Sequence, residues 1–232
     1  MAKVFWLLWG IACQDAKNEE VKDVQEQLLL ASETVIFASA EQLGPHKLQT
    51  VYAQQEYHGE DVRTSSKEIV DMDWVDWDNW HAKRMVDEEI VSNVWIVAGK
   101  TIEQQGKNYV EQADGEPYRV QLRSTSSQWD SVIRAFQPYI VWEFQAKQDM
   151  DGRVVHMYTA KFTEPDVKKM GVHPLRFQGT VWVDEQTAVR LLGKIEMTVV
   201  QGSYKKDIQF QVQRSDIQSS GVLQRIVSSN PL

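Results

Sequence analysis

Four aspartates, Asp71, Asp73, Asp76 and Asp78, are interleaved with Trp74, Trp77 and Trp80. Carboxylates at this density raise two chemistries, a calcium loop and the acid and base of a glycosidase. A calcium loop needs glycine at its sixth position and glutamate at its twelfth, and no register beginning at Asp71, Asp73 or Asp76 supplies both. Glycosidase carboxylates must flank one bond at a fixed separation, which sequence neighbours on a turn rarely provide. The run therefore reads as a solvated turn, and the β propensity of tryptophan accounts for the aromatics. His46, His58, His81, His156 and His173 are dispersed, with no HExxH or other i, i+4 pair, so no zinc site is expected. No GxSxG, P-loop or dinucleotide fingerprint occurs. Ser124 to Ser127 precede a helical pattern and read as caps, and His156, between Val155 and Met157, reads as a hydrogen-bonded strand residue. The sequence thus predicts no catalytic residue, no metal and no cofactor, and a protein that is not an enzyme.

The one cysteine is more informative. Met1 to Lys3 give a basic start, Val4 to Ala12 a short apolar run with Gly10 and Ala12 near its end, and Cys13 is followed by the polar stretch Gln14 to Lys22. This is the layout of a secretory signal. With a small residue immediately before the cysteine it resembles a bacterial lipoprotein signal, which implies lipid attachment at Cys13. The competing reading makes residues 4 to 12 an ordinary buried strand or helix and Cys13 a small core residue. A lone cysteine cannot form an intramolecular disulfide, so a secreted chain needs another use for it. On the lipoprotein reading residues 1–12 are the signal peptide, 13–22 a polar tether and 23–232 one folded domain. Gln14 after the lipidated cysteine favours the outer membrane, facing the periplasm.

A chain of 232 residues with 42% hydrophobic and 25% charged side chains has ordinary globular composition, and all-β domains often use this length for one core. The formal net charge is -8, with Lys and Arg scattered among Asp and Glu. That argues against nucleic acid and against a polybasic membrane patch. Nine Trp, seven Tyr and seven Phe must fill a large β core or line an apolar cavity.

The pattern along the chain is helical between Glu19 and Ala40, where Val21, Val24, Leu28, Leu29, Val35 and Ile36 recur, and Gly44-Pro45 should stop that helix. From Lys47 the period becomes two. Strands are expected over Val62–Trp74, Trp80–Asp87, Ile90–Ala98, Lys100–Gln105 and Asn108–Gln112, joined by short turns as antiparallel hairpins. A helix capped by Ser126 or Ser127 should carry Trp129, Val132, Ile133 and Phe136 on one face and end before Pro138. Strands resume over Tyr139–Ala146 and Arg153–Phe162, and Glu164 to Arg176 reads as a loop or short helix. Phe177–Asp184, a strand carrying Val189, Leu191, Ile195, Met197 and Val199, and a strand carrying Tyr204, Ile208, Phe210 and Val212 complete the set.

One N-terminal helix, a long antiparallel meander with one inserted helix, and the segment Phe177-Gln178-Gly179-Thr180-Val181-Trp182-Val183-Asp184 followed by a turn containing Thr187 resemble the lipoprotein-carrier superfamily of LolA/LolB/LppX-like outer-membrane lipoprotein-sorting proteins. The segment around Tyr109 is similar to the family's central part. The resemblance covers roughly residues 20 to 215. It implies a mainly β (α+β) fold, a strongly curved antiparallel sheet forming an incomplete β-barrel, lidded by an N-terminal helix and one inserted helix. It also implies a concave apolar cavity that binds an acyl chain or lipidated ligand, for lipid or lipoprotein trafficking. The expected lining is Trp142, Phe144, Tyr158, Phe162, Leu191, Ile195, Met197, Ile208 and Phe210. Three alternatives stand beside it. Aromatic side chains fill the space without a ligand; the protein is a non-catalytic envelope scaffold lipoprotein binding a partner protein; or it is a secreted hydrolase with an unrecognised site. The face carrying Ile140, Trp142 and Phe144 could equally be the outer one if the register slips by one residue.

Overall fold

The structure is a computed structural model and describes residues 25–29, 41–126, 133, 136–163 and 173–231. Cys13, the signal and the tether lie outside the described residues, as does most of the expected N-terminal helix, of which residues 25–29 are helical.

Eleven antiparallel strands form one sheet: β1 (His46–His58), β2 (Asp61–Asp76), β3 (Asn79–Val86), β4 (Glu89–Val97), β5 (Lys100–Gln105), β6 (Asn108–Gln112), β7 (Ile140–Met150), β8 (Arg153–Phe162), β9 (His173–Asp184), β10 (Arg190–Gln201) and β11 (Tyr204–Ser215). Their order is β6-β5-β4-β3-β2-β1-β11-β10-β9-β8-β7. Two meanders are therefore stitched together where β11 returns beside β1. Twisted sheets of this width curl. This one does not close, because β6 and β7 are its two ends and do not pair with each other. It is a half-barrel, as the sequence predicts.

Hairpin chemistry sets several boundaries. Asp151 and Gly152 have φ of 53° and 79°, the left-handed pair that a two-residue turn matching strand twist requires. Strands β5, β6 and β8 begin and end where the turn signals place them. Strand β9, by contrast, begins at His173, so residues 173–176, read from the two prolines and a glycine as loop or short helix, are strand. Residues 164–172 lie outside the described ones.

The helices depart further from expectation. Helix α1 spans Glu116–Ser126 and precedes the expected inserted helix, whose residues Ile133 and Phe136 are also helical. The Asp114 carboxylate accepts from the Glu116 amide at 2.9 Å, a capping bond that Gly115-Glu116-Pro117 disguises as a loop signal. Helix α2, Gly221–Ser229, is not anticipated at all. It lies against β2, β3 and β4 with Val222 and Ile226 fully buried. Its Arg225 donates to Asp73 at 2.8 and 2.9 Å, and the indole of Trp95 donates to Ser229 at 3.0 Å. Asp73 and Trp95 alternate with the core residues Trp74 and Ile96, so α2 covers the outer face of this half of the sheet.

The acidic and tryptophan-rich run resolves in the same frame. Trp74 and Trp80 face each other across β2 and β3 and are 4% and 1% exposed. Asp71 accepts from Gln49, Asp73 holds Arg225, and Asp76 accepts from the Asp78 amide and the Asn79 side chain, closing the turn.

Candidate functional site

Because every strand is antiparallel to its neighbours, residues on one face line up in rows across the whole sheet. One row reads Ser92, Arg84, Val70, Thr50, Val212, Gly193, Val181, Tyr158, Phe144 from β4 to β7. It defines the inner face. Leu48, Met72, Trp80, Val94, Phe177, Ile195 and Phe210 belong to the same buried cluster.

Of the residues singled out by alternation, Tyr158, Ile195, Met197 and Phe210 are 1–3% exposed within this cluster. Trp142, Phe144, Phe162 and Ile208 lie on the same face, half-buried and packed against it. Ile140, Trp142 and Phe144 therefore point inward. Leu191 goes elsewhere: a bulge between Arg190 and Leu192 takes it out of the alternation, and it packs with Leu43, Val155 and Val189 in a second cluster. Tyr52, Tyr118, Phe136 and Phe177 join the main cluster without having been selected. For Tyr52 the signal was available, since Leu48, Thr50 and Tyr52 alternate on β1 just as Val70, Met72 and Trp74 do on β2.

The Phe-x-Gly-x-Val pattern of β9 acquires a reason here. A Cβ on Gly179 would meet the Phe177 ring at 2.9 Å and the Trp142 ring at 3.0 Å, so two aromatic rings lie across bare backbone. The Asp184 and Thr187 that follow are structural. The Asp184 carboxylate accepts two bonds from the Arg153 guanidinium at 2.8 and 2.9 Å, and further bonds from the Thr187 amide and hydroxyl. Burial alone would raise this carboxyl, but the Arg153 and Thr187 donors outweigh it and hold it below the usual range. His156 is 1% exposed at the same end of the face, 5.5 Å from the Phe144 ring. Burial lowers its pKa, Lys147 adds to that, and Glu185 at 3.5 Å opposes it. It sits in a strand, as expected, but the expected hydrogen bond is missing, since neither ring nitrogen has a hydrogen-bond partner among the described residues.

The segment between β6 and β7 joins opposite ends of the sheet, and its described residues Tyr118, Ile133 and Phe136 lie on the inner face. Gly115 makes the entry possible, since a Cβ there would lie 2.5 Å from the Thr101 hydroxyl and 3.1 Å from Ile96. Arg119 of α1 reaches the Trp77 carbonyl at 3.4 Å, Tyr118 packs on the cluster, and Ile133 and Phe136 follow it across. From the other side, Leu28 and Leu29 rest on the cluster and the Tyr158 hydroxyl donates to the Gln25 carbonyl at 2.9 Å. Burial pushes that hydroxyl's pKa up to about 12.

Polar groups collect at one margin of the face, near the end of β3, the end of β1 and the start of β11. Arg84 makes a two-pronged pair with Glu68 at 2.8 and 3.1 Å, and Lys206 pairs with Glu56. Between them stands Tyr52, whose ring meets Phe210 edge-on at 6.2 Å and whose hydroxyl donates to Gln54 at 2.9 Å. Burial raises the Tyr52 hydroxyl, Lys206 opposes this, and Glu56 and Glu68 add to it. The arrangement is an apolar trough with an ion-paired margin. It can hold a long apolar group by burial. No three or more His, Cys, Asp or Glu among the described residues are placed to hold a metal ion.

No family model matches the sequence, and no curated protein matches it. Among solved structures the chain is similar to the lipoprotein LppX of Mycobacterium tuberculosis, at 13% identity and a TM-score of 0.34, over 84% of this chain and 96% of that one. It is also similar to a LolA superfamily protein from Nitrosomonas europaea, at 5% identity and a TM-score of 0.26, over 82% and 93% of the two chains. A third likeness is to MucB in the Pseudomonas aeruginosa MucA/MucB complex, at 14% identity and a TM-score of 0.28, over 88% of this chain and 60% of that one. Similarity at this level assigns no role to any residue. No helix among the described residues is long and apolar enough to cross a membrane.

Proposed function

We propose that this chain is a bacterial envelope lipoprotein, anchored through Cys13 and facing the periplasm from the outer membrane, whose trough binds an acyl chain or lipidated ligand for lipid or lipoprotein trafficking. The observation that carries the binding role is the set Tyr52, Trp142, Phe144, Phe162 and Ile208, large apolar side chains that share the inner face with the core and are only half-buried there. A closed core leaves few such residues partly wet. An apolar trough rimmed by polar groups fits a long apolar ligand. No covalent chemistry is required of the protein. Release has to come from a state that holds the ligand less well, since equal affinity in two states moves nothing.

Two measurements test this. Mass spectrometry of protein extracted mildly from native membranes should find a co-purified acylated molecule, and protein that comes out clean would remove the binding role. Replacing Cys13 with Ser should abolish incorporation of labelled fatty acid, and undiminished labelling would remove the anchor. A second reading, a scaffold that binds a partner protein, draws on β7, an eleven-residue end strand with Val141 61% exposed, onto which a partner strand can add. Loss of a co-purifying protein on placing proline in β7 would favour it.

A further inference from the structure

We infer that the trough selects uncharged acyl lipids, such as diacylglycerol-type esters, against free fatty acids and anionic phospholipids. This rests on the acyl-binding reading above and names the class of ligand within it. The basis is the charge balance of the face. Near this margin, strand register puts the carboxylates Glu56, Glu68 and Glu103 on the inner side of β1, β2 and β5. The cations that share the polar margin are Arg84 and Lys206, and each is already engaged, Arg84 by both oxygens of Glu68 and Lys206 by Glu56. At the opposite end Lys147 pairs with Glu185 and Arg214 is turned onto the Arg190 carbonyl.

A carboxylate or phosphate leaving water at this margin would therefore find no spare cation among the described residues. To gain one it would have to displace Glu56 or Glu68 and leave that carboxylate beside itself, a like-charge contact in a partly desolvated place. An ester or hydroxyl head has no such difficulty. Tyr52 and Gln54 lie beside the pairs. Ser92 and Gln121 line a small recess with Arg84, Trp80 and Val94 under α1. These groups offer neutral donors and acceptors next to the apolar floor.

The test compares three probes carrying the same fluorescent acyl chain, a diacylglycerol, a fatty acid and a phosphatidic acid, delivered to the full-length chain from phosphatidylcholine vesicles at neutral pH. The diacylglycerol should bind at least about tenfold more tightly than either anion. In a Glu56→Gln, Glu68→Gln double variant, which frees Lys206 and Arg84, the two anions should gain about tenfold while the diacylglycerol is unchanged. The single variant Glu56→Gln, at a half-exposed position, should show part of the same gain and guards against misfolding of the double variant. Anions bound as tightly as diacylglycerol by the wild type, or no gain for anions in a folded variant, would overturn the inference and leave acyl binding standing. Failure of all three probes to bind would remove both.

Discussion

The inner face of β2 to β4 and the inner face toward β7 and β8 use the same kinds of residue, yet they end in different states. Met72, Trp74, Trp80 and Ile96 are 0–4% exposed. Trp142, Phe144 and Phe162 are only half-buried, together with Tyr52 and Ile208 where β1 and β11 run out. What differs is the covering. The first region has α1 entering tightly past Gly115 on its inner side and α2 packed behind it, with Val222 and Ile226 fully buried. Behind the second, Val141 faces water at 61% exposure, although Val155 is buried there with Leu43 and Leu191. Aromatic alternation therefore reports which face a residue occupies. It does not report how deep that face lies.

The contrast can be broken by substitution. Trp80→Ala should cost about 4 kcal/mol, read as a lower urea midpoint, because it empties a packed, two-sided layer. A loss of only about 1 kcal/mol would mean that this region is as loosely filled as the other. Acid should act next, through His46, which is 1% exposed at the start of β1 and whose pKa is lowered to about 4 by burial, helped by Arg214 and opposed by the Gly44 carbonyl. The unfolded chain binds this proton from 6.5 downward while the folded chain refuses it until about 4, so stability falls as pH drops through that window. His46→Gln should flatten the acid limb by about 2 kcal/mol at a pH of roughly 5, measured by urea titration across pH. An unchanged acid limb would place the titration elsewhere. Phe144→Ala should cost least, about 1–2 kcal/mol, since half of the ring is already wet. The same variant should lower uptake of a fluorescent acyl probe. A full core penalty with unchanged uptake would make Phe144 plain core.

Much of the sheet is legible in the amino-acid sequence, for a physical reason. Strands β5, β6 and β8 are bounded by Gly or Asp-Gly turns, and that signal is local. What escapes is decided at a distance. Helix α2 offers only Val222, Leu223, Ile226 and Val227 over two turns, and its fixation comes from Asp73 and Trp95, more than a hundred residues away. Helix α1 begins at Gly115-Glu116-Pro117, which punctuates like a loop. Leu191 illustrates the third kind of miss, because a single bulge hands it to another cluster while its neighbours keep their alternation. Within the trough, alternation selected Phe210 and Phe144 together. Only the covering separates them, with Phe210 2% exposed and Phe144 half-buried.

The crossover from β6 to β7 gives the half-barrel the geometry of a bow. Its eleven strands are the arc, and the described residues of the connection, Tyr118, Ile133 and Phe136 among them, lie on its hollow side like points along the string. Pairing holds each strand to its neighbour, so a bulkier cargo can be accommodated chiefly by flattening the arc, and a flatter arc draws its tips apart. Tyr118, Ile133 and Phe136, which pack on the inner cluster, would then part from it. On the acyl-binding reading proposed above, the bulk of a ligand would act first on the contacts these three side chains make with the sheet.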